Sequence, residues 1–199
     1  MVNHLGVKFK DLELIFEDDR IYYEIVHENQ IVRTGNVMMN WEDKLMKAHA
    51  DIACHNRGDV LEIGFGMGIS ADYIQANNPK SHTIIELHPQ VITRLKKWSE
   101  DKPNVIVVEG DWRDQIHKLP KYDGVFFDNY STGFRKFGQI VGNHTKKGAK
   151  VTFWNNNPRA GEIYHRFPIK KVRLTPIEVN PDPNEYFPYS TYHLPEVQY

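Results

Sequence analysis

The sequence predicts an α/β fold of Rossmann-like type: a mostly parallel sheet with helices on both faces and a small N-terminal β hairpin. Three observations predict it. From residue 58 onwards, short β-branched runs alternate with helical stretches, the pattern of repeated βαβ units. The first of these runs leads directly into a glycine-rich turn, Gly64-Phe65-Gly66-Met67-Gly68. Ahead of both, apolar residues from Leu12 to Val32 alternate with polar ones (Leu12, Leu14, Phe16, then Ile21, Tyr23, Ile25), the two-residue period of a hairpin or meander.

Taken in order, the hairpin turns fall at Glu17-Asp18-Asp19 and Glu28-Asn29-Gln30. Trp41, Leu45, Ala48 and Ile52 recur at helical spacing, so one amphipathic helix is expected over about 39–56, closed by Gly58 as its C-cap. Strands are expected at Val60 to Ile63, Thr83 to Leu87, Val105 to Val108, Gly124 to Phe127 and Ala149 to Trp154. Helices are expected over 69–77, 89–100, 112–118, 133–146 and 159–166. Val172, Leu174, Ile177 and Val179 alternate again before Pro181-Asp182-Pro183, which predicts a closing antiparallel pair at the sheet edge.

A chain of 199 residues suits one domain, read as a hairpin appendage over 1–36 and a Rossmann-like core over 37–199. Lys plus Arg (25) nearly cancel Asp plus Glu (26), so no global field gathers phosphate backbones or anionic lipids, and neither nucleic acid nor membrane is expected as a partner. Cys54 stands alone, which excludes an internal disulfide and suits a reducing compartment. Met1 to Lys10 carry no apolar leader run, so a cytoplasmic location is expected. None of the ten histidines is paired at H-x-x-x-H spacing, and no metal is expected.

Ligands of open parallel sheets bind beyond the carboxyl ends of the strands. Each of the first four ends carries an acid. The first is Glu62, followed by Gly64, Phe65, Gly66 and Gly68, where position 69 is Ile and the dinucleotide fingerprint G-x-G-x-x-G wants glycine. That spacing favours S-adenosyl-L-methionine over a pyrophosphate cofactor. Glu86, before Leu87, is placed to accept ribose hydroxyls, against the bland reading of a solvated surface acid. In Glu109-Gly110-Asp111-Trp112 an acceptor and an indole suit an adenine, although Trp112 equally suits core filling. Asp128, before Asn129 and Tyr130, ends the fourth strand, as a site acid or as a helix cap. On the preceding helix Glu42 lies four residues before Met46, so both share a face; dipole complementarity is the plain alternative for Glu42.

These residues resemble guanidinoacetate N-methyltransferase and the related fungal arginine δ-N-methyltransferases. The likeness rests on Val37-Met38, Trp41-Glu42, Met46, Val60 to Met67, Ile84-Ile85-Glu86, Gly110 with Trp112, Tyr122-Asp123-Gly124 and Asp128 with Tyr130, and Tyr186-Phe187-Pro188 looks like the family's closing strand. It implies a class I methyltransferase fold, with Met46, Gly64, Gly66, Glu86, Trp112 and Asp128 enclosing S-adenosyl-L-methionine. It further implies Glu42 and Asp128 as the catalytic pair holding a guanidino group, with Tyr130 beside them. The expected activity is N-methylation of a small guanidino compound, releasing S-adenosyl-L-homocysteine, by a monomer or homodimer. Two stretches on the substrate side, 131–147 and 155–167, are shorter than the family's. Methylation of another small amine, aminopropyl transfer, or cofactor binding without catalysis are the competing readings.

Overall fold

A computed structural model describes residues 8–129, 134–155, 171–181 and 186–199. The N-terminal sheet has strands β1 (Leu14–Phe16), β2 (Arg20–His27) and β3 (Gln30–Met39), antiparallel in that order. Glu28 and Asn29 form the two-residue turn between β2 and β3 with φ of 49° and 61°, the left-handed pair whose twist matches a tight hairpin. β3 runs unbroken through position 36, so the hairpin feeds the core without a linker.

A 3-10 turn over Asn40–Glu42 opens helix α1 (Asp43–Ala53). There follow β4 (Asp59–Ile63), α2 (Ile69–Ala76), β5 (Ser81–Glu86), α3 (Pro89–Ser99), β6 (Val105–Glu109), α4 (Trp112–Gln115), β7 (Tyr122–Phe127), α5 (Phe134–Ile140), β8 (Thr145–Phe153), β9 (Lys171–Glu178) and β10 (Thr191–Gln198). The large sheet has order β6-β5-β4-β7-β8-β10-β9. Its first five strands are parallel and β10 is antiparallel to both its neighbours, as the alternation of the tail predicts. The strand order reverses between β4 and β7, which creates the crevice where open sheets bind ligands.

Side chains alternate across this sheet. Leu61, Ile63, Val125 and Phe127 pack on one face with Trp112 of α4 and Phe137 of α5. Val60 and Phe126 pack on the other with Leu45, Met46, Ala50 and Ala53 of α1 and Ile74 of α2. The hairpin adds Leu14, Ile21 and Tyr23 over Val91 and Leu95 of α3.

Several elements differ from expectation. The buried stripe of α1 is Leu45, Met46, His49, Ala50 and Ala53, rotated from the apolar series because a polar residue, His49, is buried within it with both ring nitrogens bonded. The helix ends at Cys54, so Gly58 caps nothing; a Cβ there would lie 2.3 Å from the Asp123 carboxylate, and this close approach is what requires glycine. The expected helix over 133–146 gives way to a 3-10 turn at Val141–His144, and β8 begins at Thr145, four residues earlier than Ala149. Tyr186-Phe187-Pro188 is irregular chain before β10 and not a strand. The helix expected over 159–166 lies outside the described residues.

Candidate functional site

The parallel ladder continues one residue past each strand and draws the strand ends into a row. Gly64 donates to the Ile85 carbonyl (2.9 Å), Asp128 to Ile63 (2.9 Å), Gly110 to Glu86 (2.8 Å) and Trp154 to Phe127 (3.0 Å). Gly64 has φ +94°, and a Cβ there would fall 2.0 Å from the Asp128 carbonyl oxygen, so glycine is what lets the first and fourth strand ends touch. Gly66 has φ +54°, with Met38 Sδ 2.6 Å from the place of a Cβ. That sulfur lies 3.1 Å from the Met67 N–H, so β3 closes the glycine turn from outside. Gly68, φ +84°, precedes α2, and the Phe65 ring beneath the turn is buried.

Behind the turn stands Glu62, wholly buried. It accepts from the Ser70 hydroxyl and from His82 Nε2 (2.9 Å). The Gln75 amide donates to His82 Nδ1 (3.1 Å), which leaves the ring hydrogen on Nε2, facing the carboxylate. Glu62 therefore braces β4, β5 and α2, and faces these partners where the sequence reading put it on the cofactor. Glu86 accepts from the N–H groups of Phe65 (2.9 Å), Leu87 (2.7 Å) and His88 (2.8 Å). Burial raises its pKa while these bonds pull it back. A carboxylate offers about four lone-pair sites, so three N–H donors leave about one for a ribose hydroxyl. Asp111 caps α4 through Arg113 N (2.9 Å) and pairs with the Arg113 guanidinium, which lowers its pKa. Trp112 is buried edge-on to Phe127 (5.3 Å) and Phe137 (6.0 Å), in the core-filling role that competed with adenine stacking.

Asp128 and Asn129 are partly exposed at the end of β7. Desolvation, and then the charges of Glu62 and Glu86, push the Asp128 carboxyl up to about 7. Tyr130, the expected substrate contact, lies outside the described residues.

On the other flank, Glu42 is 3% exposed, and its Oε1 accepts from the Met39 N–H (2.9 Å) and from the Tyr186 hydroxyl. The backbone contact is that of a capping box at the helix start, an interaction other than the dipole complementarity expected as the plain alternative. Around this carboxylate stand aromatic rings: Trp41 lies 6.2 Å from Trp154 and 6.0 Å from Tyr186, and Trp154 lies 6.0 Å from Tyr186. Met46 is buried in the same cluster.

The Tyr192 phenol is fully buried, its ring 5.2 Å from that of Trp154. Burial raises its pKa most, the Asn155 N–H opposes this, and the charges of Asp128 and Glu42 both raise it further. Glu42 and Asp128, 86 positions apart in the chain, thus act on one phenol. Its hydroxyl meets His49 Nε2 at 2.9 Å, while His49 Nδ1 meets Thr152 Oγ1 at 2.6 Å. Thr152 gives its own proton to the Pro195 carbonyl (2.6 Å), so it must accept from Nδ1–H, which makes Nε2 the acceptor for Tyr192. Burial depresses the His49 pKa to about 3, in keeping with a neutral ring. Sequence reasoning missed Tyr192, His49, Trp154 and Tyr186 as neighbours of the site. Tyr186 is legible only as part of an expected closing strand, and nothing in the local spacing marks His49, Trp154 or Tyr192.

Known proteins resemble this chain in fold and in sequence. Among solved structures, spermidine synthase from Thermotoga maritima superposes over 94% of this chain and 72% of that one with a TM-score of 0.65 at 15% identity. A precorrin-6y C5,15-methyltransferase from Geobacter metallireducens covers 87% of this chain and 92% of that one, with a TM-score of 0.60 at 14% identity. At such identities they establish the fold alone. Among curated proteins, protein arginine N-methyltransferase 2 of Candida glabrata is 43% identical over 118 residues, 52% of this chain and 28% of that protein. Its Aspergillus oryzae counterpart is 33% identical over 160 residues, 74% of this chain and 36% of that protein. The chain spans well under two thirds of these relatives' length. The family model described as guanidinoacetate N-methyltransferase matches residues 8–150, and with the glycine turn, the strand-end acids and the Trp41-Glu42 helix start inside that span, the chain belongs to the guanidinoacetate N-methyltransferase family.

Proposed function

We propose that the protein transfers a methyl group from S-adenosyl-L-methionine to a nitrogen of a guanidino group, with Glu42 and Asp128 holding the acceptor. The observation that carries this reading is the seating of Asp128 against Gly64 at the glycine turn, with the buried Glu42 carboxylate at the start of the helix that packs on the same sheet. The residues fit the cofactor: Gly64, Gly66 and Gly68 leave the turn bare over the buried Phe65 ring, Glu86 keeps an acceptor site, Leu87, Asp128 and Asn129 follow the ends of β5 and β7, and Met46 is buried on α1. Glu62 serves as a positioning residue behind them, and Asp111 and Trp112 shape the floor. When bound, S-adenosyl-L-methionine supplies an electrophilic methyl and leaves as S-adenosyl-L-homocysteine.

A guanidinium is a poor nucleophile because its lone pairs are delocalised and it stays protonated well above neutral pH. Planar N–H forks match carboxylates, so Glu42 orients the group and draws positive charge onto the nitrogens that do not react. Asp128, whose carboxyl titrates near neutrality, accepts the proton released as the new N–C bond forms. The rings of Trp41, Trp154 and Tyr186 exclude water and favour a delocalised cation. The names of the curated relatives favour an arginine side chain of a protein over the free small guanidine expected from sequence. We also propose that 1–36 and 37–199 work as one methyltransferase unit.

Labelled-methyl transfer to an arginine-containing peptide, free arginine and guanidinoacetate tests the reading. Glu42→Gln keeps an oxygen for the Met39 N–H and removes only charge. Its turnover is expected to fall roughly 30- to 1000-fold, about 2–4 kcal/mol of transition-state stabilisation, with cofactor affinity unchanged. Asp128→Asn is expected to lose turnover and cofactor affinity together. Turnover of Glu42→Gln within threefold of the parent would remove the guanidine clasp.

A further inference from the structure

Strand β2 alternates across the hairpin sheet: Ile21 and Tyr23 are buried over α3, which puts Tyr22, Glu24 and Val26 on the outer face. Ile31 of β3 lies directly opposite Val26, so the two form a cross-strand pair on that face. Val26 is 58% exposed, Ile31 57% and Val32, the extra residue of the adjoining bulge, 54%. These are the most exposed large apolar side chains among the described residues, gathered at one hairpin tip, and such a cluster marks a surface that another molecule covers.

The same hairpin is acidic. Between Glu13 and Met39, six acids (Glu13, Glu17, Asp18, Asp19, Glu24, Glu28) stand against two bases, Arg20 and Arg33, and Arg20 is already paired with Glu17. Glu24, beside Val26 on the outer face, and Glu28 in the turn form no ion pair among the described residues. The whole chain carries a net charge of -1, so this acidity is local to the hairpin. From Ile31, β3 runs on to Met39, whose N–H is held by Glu42. At about 3.3 Å per residue the hairpin tip stands roughly 25 Å from the start of the acceptor site, the span of about seven or eight residues of extended chain.

We propose that the outer face of the hairpin docks the protein that carries the arginine to be methylated, taking a segment of alternating apolar and basic residues about seven or eight positions from that arginine. The proposal rests on the reading of the acceptor as an arginine side chain of a protein. Charge and apolarity together select this occupant. A second copy of the hairpin would bring the same acids and meet repulsion, whereas a cationic segment pairs with Glu24 and Glu28 as it covers Val26 and Ile31. Free arginine is too short to reach the hairpin from Glu42. The surface therefore adds binding that is equal in the ground and transition states, so it lowers KM for a protein acceptor and leaves the chemical step alone.

Two fluorescent peptides test this, each with one central arginine. In the first, Leu-Lys-Leu-Lys blocks lie seven residues to either side of the arginine; in the second, Ser replaces each Leu. Binding is read by fluorescence anisotropy, and kcat and KM by labelled-methyl transfer to both peptides and to L-arginine, for the parent and for Val26→Lys/Ile31→Lys. The parent is expected to bind the Leu peptide at least tenfold more tightly than the Ser peptide and to methylate it with a KM at least tenfold lower at similar kcat. The variant is expected to lose that preference while its turnover of L-arginine stays within twofold and its circular dichroism is unchanged. Should the lysines perturb the fold, Val26→Thr/Ile31→Thr, which keeps strand-forming residues, is expected to reduce the preference at least threefold. Equal affinity of the parent for the two peptides, or a preference that the variants retain, overturns the docking surface and leaves the proposed function standing. A preference lost in the variants, with no methyl transfer to any acceptor by the parent, overturns the function and leaves the docking surface. Neither binding nor transfer by the parent overturns both. A parent dimer seen by sedimentation at the assay concentration and abolished by Val26→Lys/Ile31→Lys would assign the face to a second copy and overturn the proposal.

Discussion

Asp128 illustrates how one carboxyl answers to its setting. Backbone contact with Gly64 and Ile63 holds it at the switch point, where desolvation and the acids Glu62 and Glu86 raise its pKa to about 7. A raised carboxyl pKa means that the folded protein binds more protons than the unfolded chain between about 4 and about 7, so this residue lowers stability as pH rises through that window. Asp128→Asn is therefore expected to stabilise the cofactor-free protein by about 1–2 kcal/mol at pH 8 relative to its effect at pH 4, the partial exposure of the side chain limiting the gain. Urea midpoints at the two pH values check this, and an equal effect at both would mean that the carboxyl ionises normally. Glu86 and Asp111, by contrast, reached their places in the row of acids yet spend most of their acceptors on backbone N–H groups and Arg113. Position in the sequence identified these acids; which of their oxygens remain available depends on the neighbours they meet.

The glycine turn shows the same division for an element. Its place after a buried strand was legible from Val60 to Gly68, but the reason for glycine at 66 was not. Met38, 28 positions earlier on β3, puts its sulfur where a side chain would go. Gly66→Val therefore meets both a left-handed φ that a β-branched residue resists and a collision with Met38. Calorimetry is expected to find cofactor binding abolished, with the turn displaced; undiminished affinity would place the cofactor away from this turn. The helix α1 was likewise legible in place but neither in extent, 39–56 expected against Asp43–Ala53, nor in orientation, since its apolar series points to Trp41 and Ile52 while its buried stripe centres on His49. A histidine reads as polar until the partners that satisfy both ring nitrogens are known. Those partners lie more than 100 positions away, on β8 and β10.

Across the molecule, that histidine ties the sheet together. The chain of bonds Pro195, Thr152, His49, Tyr192 and Asn155 joins α1 to two antiparallel neighbours, β8 and β10. Tyr192→Phe removes the donor to His49 Nε2 and the acceptor of the Asn155 N–H while preserving ring volume. Leaving these buried groups unpaired is expected to cost about 2–4 kcal/mol in urea unfolding. A change below about 0.5 kcal/mol would mean that water replaces the phenol. Among the described residues no helix is long and apolar enough to cross a membrane.

What the amino-acid order determined by itself is whatever depends on short spacing: the alternation of the hairpin, the βαβ rhythm after residue 58, the glycine turn and an acid at each of the first four strand ends. These follow from backbone geometry with periods of two and 3.6 residues, which neighbours in the chain reveal. The tertiary structure alone decided the strand order that opens a crevice between β4 and β7, the closing of the glycine turn by Met38, and the bonding of His49 to Thr152 and Tyr192. The physical reason is distance: each of these joins residues tens of positions apart, and what a buried polar group does is set by the partners that folding brings to it.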